Sequence, residues 1–334
     1  MSFDPATCEL CGQGLPRRRG PLPAAPELLA CPGCGLVSLA VLPPPAERKA
    51  GYQEEYYDAD QGERFLGPLE ALVRFFRRRR RGDLLRHFAR RSAPAAPRNF
   101  LDVGCGRGLL VDLFAEAGFA AVGTQLSETA ARAARARGAD VRVGELRELA
   151  LPAGSFGIVV LYHVLEHVEA PLADLREAAR LLAPGGLLVV EVPSFARPGY
   201  RLLGLRDLCI DYPHHLYFFE PATLRPLLAA AGFRIDEESH FSLEYSPVTT
   251  LQNLLNLLPG RPNRLLDALR RNSASAALRR SPLTALHFLL AAVLAPVAFG
   301  LSLLGLFLPI GNTYRIYAGK VHAGEAQVGV GSAA

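Results

Sequence analysis

The first ten residues, MSFDPATCEL, lack a basic stretch followed by an apolar one, so no secretory signal is expected and the cytoplasmic side is the default location. Charge is also sparse: 21% of the 334 residues are charged and half are hydrophobic. That is apolar for a soluble enzyme, yet too polar for a protein of many membrane spans. Cysteine is scarce as well. Four of the six are grouped as C-x-x-C pairs, which a reducing compartment keeps as thiols, so a disulfide framework is excluded. The net charge of +5 is modest, and its arginines are gathered at Arg17 to Arg19, Arg77 to Arg81 and Arg270 to Arg280. Such clusters suit the phosphates of nucleic acid, nucleotide-linked substrates or anionic lipid; solvated helix faces are the plainer alternative.

What is present begins with CELCGQGLPRRRGPLPAAPELLACPGCG. Cys8 and Cys11 form one knuckle and Cys31 and Cys34 the other, about 20 residues apart. Two tight turns at this spacing bring four thiolates around one tetrahedral ion, the zinc-ribbon arrangement; a redox pair is the alternative for a single C-x-x-C. Four protein ligands leave no open position, so a structural Zn2+ is expected within a ribbon of residues 1–45. LPPPAERK then breaks the chain. GYQEEYYDADQGERF leads into a helix, GPLEALVRFFRRRRR, and SAPAAPRN reads as a linker, so residues 46–97 form a lead-in.

From Asn99 the texture changes to alternating strands and helices, and residues 98–245 read as one α/β core. FLDV is a strand, GCGRG a glycine turn, and LLVDLFAEAG a helix with Leu109, Leu110, Leu113 and Phe114 on one face. AAVGTQ is the second strand, with Ser127 as N-cap of the helix that follows. VRV is the third. GIVVLY, an uninterrupted apolar run, is a fourth strand buried on both faces. LLVVEV, FRIDEES and NTYRIYAGK complete seven. Such alternation predicts a parallel sheet with helices on both faces.

Glycines between the first strand and its helix let the backbone approach a ligand, which the helix N-terminus then faces. The spacing of Gly104, Gly106 and Gly108 is G-x-G-x-G, not the G-x-G-x-x-G of dinucleotide binders.

FLDVGCGRG resembles motif I of class I S-adenosylmethionine-dependent methyltransferases. Glu145-Leu146 after the third strand, SFGIVVLYHVLEHV around the fourth and LLAPGGLLVVEVPS through the fifth follow in that family's order. The likeness covers about two thirds of the chain and extends to a bacterial subgroup with an N-terminal zinc ribbon. The central motifs are similar to those of ubiquinone-biosynthesis O-methyltransferases. It implies a Rossmann-like seven-stranded sheet and S-adenosyl-L-methionine as cofactor. Gly104, Cys105, Gly106 and Gly108 would line it, with Asp102 ordering the turn, Glu145 and Leu146 meeting the adenine, and Tyr162 beside the pocket. The family usually holds the ribose with an acidic residue where this chain has Gln125. Glutamine accepts a hydrogen bond without the charge assistance, so weaker or differently arranged binding is expected. Gly157 replaces an aspartate common before the fourth strand, a change read as tuning.

The pentapeptide His163 to His167, HVLEH, also matches the H-x-x-E-H signature of a zinc protease. It begins at the end of a buried strand rather than inside an exposed helix, and the methyltransferase family commonly carries this block there. A third metal ligand is not evident nearby, so the protease reading is set aside. For an oxygen acceptor a general base is useful. His163, His167, His214 and His215 are candidates, with His163 and His215 favoured because their blocks should meet at the carboxyl edge of the sheet. Tyr217 and Tyr56 or Tyr57 would form pocket walls.

Residues 246–311 interrupt the core before the last strand, 312–320, which precedes a flexible tail, 321–334. From Pro282 to Gly311 there is no charge, long enough to cross a bilayer. The last strand must return beside the sixth, however, and Pro296 cuts the run into halves too short to span. A monotopic or re-entrant hairpin is expected, with membrane contact through residues 262–311 and arginines on anionic headgroups. A dimerisation helix pair or a cap over the active site are alternatives. The functional expectation is methyl transfer to a small, lipid-linked or amphiphilic acceptor (a quinone, polyprenyl-linked sugar or glycan precursor) at the cytoplasmic membrane face. RNA methylation through the ribbon and arginines, or a non-catalytic cofactor-binding scaffold, are the alternatives.

Overall fold

In the computed structural model the described residues are 7–12, 28–39, 67–91, 96–195, 199–211, 214–270 and 273–321. Arg17 to Arg19, Tyr56, Tyr57 and the tail from residue 322 lie outside them. Two short strands come first, β1 (Leu28–Ala30) and β2 (Val37–Leu39), then helix α1 (Gly67–Arg91). The core follows as β3 (Asn99–Val103), α2 (Leu109–Glu116), β4 (Ala120–Gln125), α3 (Glu128–Arg135), β5 (Asp140–Val143), β6 (Phe156–Tyr162), α4 (Pro171–Leu181) and β7 (Leu182–Pro193). Beyond it lie α5 (Gly199–Leu203), β8 (Tyr217–Phe218), α6 (Pro221–Ala230) and β9 (Phe233–Ser239). The insertion supplies α7 (Ser246–Leu255), α8 (Arg264–Leu269), α9 (Ser273–Arg279) and α10 (Pro282–Leu303), and β10 (Thr313–Lys320) closes the sheet.

The seven strands lie in the order β5-β4-β3-β6-β7-β10-β9. All the pairings from β5 to β7 are parallel, whereas β10 runs antiparallel to both β7 and β9. The last strand therefore returns beside the sixth, as the sequence required. Strand order reverses between β3 and β6, which puts a crevice at their carboxyl ends.

Every residue of β6 is buried, because it is flanked by β3 and β7 and covered on both faces. Alternate side chains serve two layers. Leu101, Val103, Val159, Leu161, Leu188 and Val190 join a cluster that includes Leu175 of α4 and Leu224 and Leu228 of α6. Phe100, Ile158, Val160, Leu187 and Val189 pack with Leu84 and Phe88 of α1 and Leu110 and Phe114 of α2. Each such side chain, fully buried, contributes roughly 1.5–3 kcal/mol before chain entropy is subtracted.

Helix α1 runs further than the arginine-rich stretch suggested. Arg80, Leu84 and Phe88 recur every fourth residue and are all buried, so one stripe carries the helix on to Arg91. The insertion also differs from expectation: α10 is one continuous helix through Pro296, not a broken hairpin. A proline removes one hydrogen bond and crowds the carbonyl four residues back, and the other turns of a long helix carry it across that defect. Helix α10 packs on α7 and α8. The ribbon strands β1 and β2 form a small sheet with β8.

Candidate active site at the carboxyl edge of the sheet

The turn leaving β3 is built from backbone that side chains resist. Gly104, Gly106 and Gly108 have φ of 66°, 57° and 71°, all left-handed. Cys105 N donates to Thr124 O at 2.9 Å, which ties the turn to β4. A Cβ on Gly104 would come within 2.5 Å of Val164 Cγ2, so the turn also packs against the HVLEH segment. Gly108 is the N-cap of α2, and no side chain caps that helix. Its first amides and the positive end of its dipole therefore face the crevice.

Asp102 lies just before this turn, buried, and burial pushes its carboxyl up to about 7 while Arg77 and Arg80 pull it down. The Tyr162 hydroxyl is buried and has no hydrogen-bond partner among the described residues. Left-handed glycines, an uncapped helix start, a buried carboxylate and an unpaired phenol together suit a polar ligand carrying both charges, and S-adenosylmethionine is one. Gln125 is arranged differently from expectation. Its Oε1 accepts from Leu126 N at 2.7 Å and Ser127 N at 3.4 Å, so that carbonyl is turned to its own chain. Ser127 caps α3 through Ala130 N, as read from the sequence. Leu146 is buried, while Glu145 is half exposed and lies 3.7 Å from Arg147.

A charged cluster fills the space beside Asp102. Glu191, 0% exposed at the end of β7, meets Arg80 at 3.3 Å, His163 Nε2 at 3.2 Å and the Arg315 guanidinium. Arg80 also pairs with Glu244 at 2.8 Å and lies 3.9 Å over the Tyr162 ring. Arg77 reaches Glu244 at 3.3 Å and the Tyr245 hydroxyl at 3.3 Å. Burial opposes the charge on Glu191, but Arg315, Arg80 and His163 hold it well below the usual carboxylate range. Sequence reasoning missed Glu191, Arg80 and Arg315. A lone charge inside LLVVEV and another inside TYRIYAGK were the available signals.

His163 has a left-handed φ of 54°, uncommon for a residue with a side chain, and its Nδ1 lies 3.4 Å from Glu166 Oε1. Burial disfavours its charge, yet the two carboxylates outweigh that and raise the imidazole to about 10. His215 goes the other way. Burial and the neighbouring His167 lower it to about 4, and its Nδ1 lies 3.0 Å from Cys209 O. A carbonyl only accepts, so Nδ1 carries the proton and Nε2 the lone pair. His167 Nδ1 bonds His214 O at 3.0 Å, and its ring meets that of His215 edge to face at 4.6 Å.

The blocks holding His163 and His215 thus meet around Glu166, a carboxylate only 1% exposed. Glu166, His167 and His215 have ligand atoms within 4.8 Å of one another, so a third potential ligand does stand near HVLEH. The pentapeptide itself is a turn, not a helix, and His163 is turned to Glu191. The H-x-x-E-H zinc geometry is therefore not formed.

The four ribbon cysteines come together as their spacing predicted. Their sulfurs lie within 4.8 Å of one another, with Cys8 and Cys34 at 3.4 Å and Cys11 and Cys31 at 3.3 Å. Tetrahedral zinc with bonds of about 2.3 Å spaces its thiolates by roughly 3.8 Å, so the cage fits that ion.

Comparison with known proteins supplies the family. A methyltransferase-domain family matches residues 76–238. A Caulobacter vibrioides ubiquinone biosynthesis O-methyltransferase is 34% identical over 188 residues, covering 51% of this chain and 73% of that protein. The chain belongs to the class I S-adenosylmethionine-dependent methyltransferases. A Mycolicibacterium smegmatis protein named "Probable S-adenosylmethionine-dependent methyltransferase" is 34% identical over 146 residues, covering 42% of this chain. The chain spans 54% of that relative's length, about half of it. A crystal structure of a methyltransferase from Archaeoglobus fulgidus is 21% identical, with a TM-score of 0.46, covering 73% of this chain and 93% of that one. Gly157, where this methyltransferase departs from the common aspartate, has a packing reason. A Cβ there would sit 2.0 Å from Pro97 O and 3.0 Å from Phe88 Cζ.

Proposed function

We propose that this methyltransferase acts on a small amphiphilic or lipid-linked acceptor while resting on the cytoplasmic face of a membrane. The observation that carries the lipid part is the polarity of α10. Its buried positions are Thr284, His287, Ala291, Ala298 and Ser302, which are polar or small. Its large outward side chains are leucine, valine and phenylalanine, with Leu289 64% and Val293 65% exposed, and the following turn leaves Phe307 83% exposed. A helix on a water-facing surface has the reverse pattern. An apolar exterior over a seam in which small and polar residues sit beside Leu290 and Leu294 suits lipid, and α10, packed on α7 and α8, is read as lying along the interface rather than crossing it. Arg261 and Arg280, both exposed at its border, suit anionic headgroups.

When bound, the cofactor supplies a methyl group already activated as a sulfonium, so the chain must align, exclude water and manage a proton. The acceptor hydroxyl proton goes to His215 Nε2, neutral and held in one tautomer by Cys209. His163, fixed as an imidazolium between Glu166 and Glu191, has no lone pair to serve as base. Its positive charge instead offsets the buried carboxylates of Glu166 and Glu191 beside the acceptor side. The ribbon cysteines Cys8, Cys11, Cys31 and Cys34 hold a structural Zn2+. The Caulobacter relative, a ubiquinone biosynthesis O-methyltransferase, supports an acceptor of this small-molecule kind.

The RNA reading is weakened at one of its arginine clusters, because Arg77 and Arg80 are turned inward onto carboxylates. Methyl-labelled cofactor, purified enzyme, anionic vesicles carrying a bacterial lipid extract and, separately, ribosomal RNA provide the test. Label in the lipid phase and flotation with the vesicles are expected; label in RNA sinks the proposal.

A further inference from the structure

The ribbon is stitched into the wall of the active site. Strand β2 pairs with β1 on one side and β8 on the other, with Val37 opposite Phe218 and Ser38 opposite Tyr217. Leu39 N adds a bond to Leu216 O at 2.9 Å. From its other side, the β8 segment reaches the HVLEH turn. Leu216 N and Tyr217 N both donate to Glu166 O, at 2.7 and 3.2 Å, and the Tyr217 hydroxyl donates to Glu169 O at 3.0 Å. Cys8, Cys31, Leu28, Leu36 and Leu39 are buried in the same cluster as Leu165, Phe195 and Phe218.

We infer that the four-thiolate site is a clip whose occupancy orders the His214–Phe219 wall, while the cofactor half of the sheet stands without it. The two-residue strand β8 cannot hold a register alone, and β1 and β2, three residues each, are no stronger. In a module this small the free energy of metal binding is the free energy of folding. Releasing the ion frees β2, and β2 is the outer neighbour of β8. His215 then loses its place beside His167 and Glu166. The glycine turn, by contrast, is fixed by β4, α2 and Val164, none of which belongs to the ribbon. A bound metal thus controls acceptor-side geometry without touching cofactor affinity. This rests on the reading of His215 as an acceptor-side group only for its meaning, not for its test.

Hydrogen exchange by mass spectrometry on the full chain, with zinc bound and after removal by chelator, reads the wall directly. Cys11→Ser, at the exposed ligand, provides the same comparison without chelator. Without metal, residues 214–220 are expected to exchange about tenfold faster while residues 156–162 keep their protection. Calorimetry with S-adenosylmethionine should give a Kd within about threefold of the zinc-bound value. Val37→Pro, which breaks the β2–β8 pairing and leaves the thiolates, should bind one zinc per chain yet show the same exchange at 214–220. Protection at 214–220 that survives metal loss overturns the inference. So does a collapse of the whole sheet with loss of cofactor binding, since zinc would then serve the entire fold. No acceptor enters these readouts, so they stand or fall apart from the proposed reaction.

Discussion

Gly157 shows how a residue that departs from a family pattern can be dictated by its neighbours. With Pro97 O 2.0 Å from where a Cβ would lie, any side chain must push backbone, not a flexible chain end. Gly157→Ala is expected to cost at least about 2 kcal/mol. Thermal unfolding checks this, and an unchanged midpoint would refute the packing account. His163 makes a pH-dependent contribution. Its folded pKa, about 10, lies above the unfolded 6.5, so its stabilisation is complete below pH 6.5 and is lost as pH rises toward 10. The contribution at neutral pH is on the order of 4 kcal/mol. His163→Gln should flatten the stability curve between pH 7 and 10, and an identical slope in both proteins would show that other groups titrate there. Asp102 and the three glycines were legible because backbone chemistry at a strand-to-helix turn leaves few residue choices. Glu191, Arg80 and Arg315 were not, since a lone charge in a strand says nothing about which helix will answer it.

Five consecutive arginines, Arg77 to Arg81, look alike in sequence, and helix α1 separates them. Arg77 and Arg80 turn toward Glu244 and Glu191, Arg81 donates to Leu113 O, and Arg78 and Arg79 face water. Removing one partner of a buried pair leaves the other uncompensated, so Arg80→Met should cost roughly 3–5 kcal/mol. Arg78→Met should stay within about 0.5 kcal/mol of the parent. Equal effects in denaturant unfolding would mean the helix sits in a different rotation. In α10, the length and missing charge were plain in the sequence. That Pro296 would be accommodated was not, because a proline breaks a helix or merely strains it according to what supports the turns around it.

The long insertion, residues 246–311, closes on itself. Ser239 and Arg315 are register partners in β9 and β10, so the chain leaves and re-enters the sheet at one place. Replacing residues 246–309 with a short glycine-containing turn should therefore leave a folded protein that binds S-adenosylmethionine and no longer floats with anionic vesicles. Retained flotation would place the membrane contact elsewhere. Disappearance of cofactor binding would make the insertion part of the cofactor site.

Periodicity and turn chemistry, both local, were enough for the order of strands and helices, the glycine bend, the cysteine knuckles and the uncharged run. Each depends on residues a few positions apart, where the chain has little freedom. The seam of α10, the sharing of one core by ribbon and sheet, and the carboxylates that divide His163 from His215 depend on residues far apart in the chain, as with the pairing of Val37 and Phe218. Those contacts exist once the sheet has assembled, and burial then decides which charges survive and which protons stay.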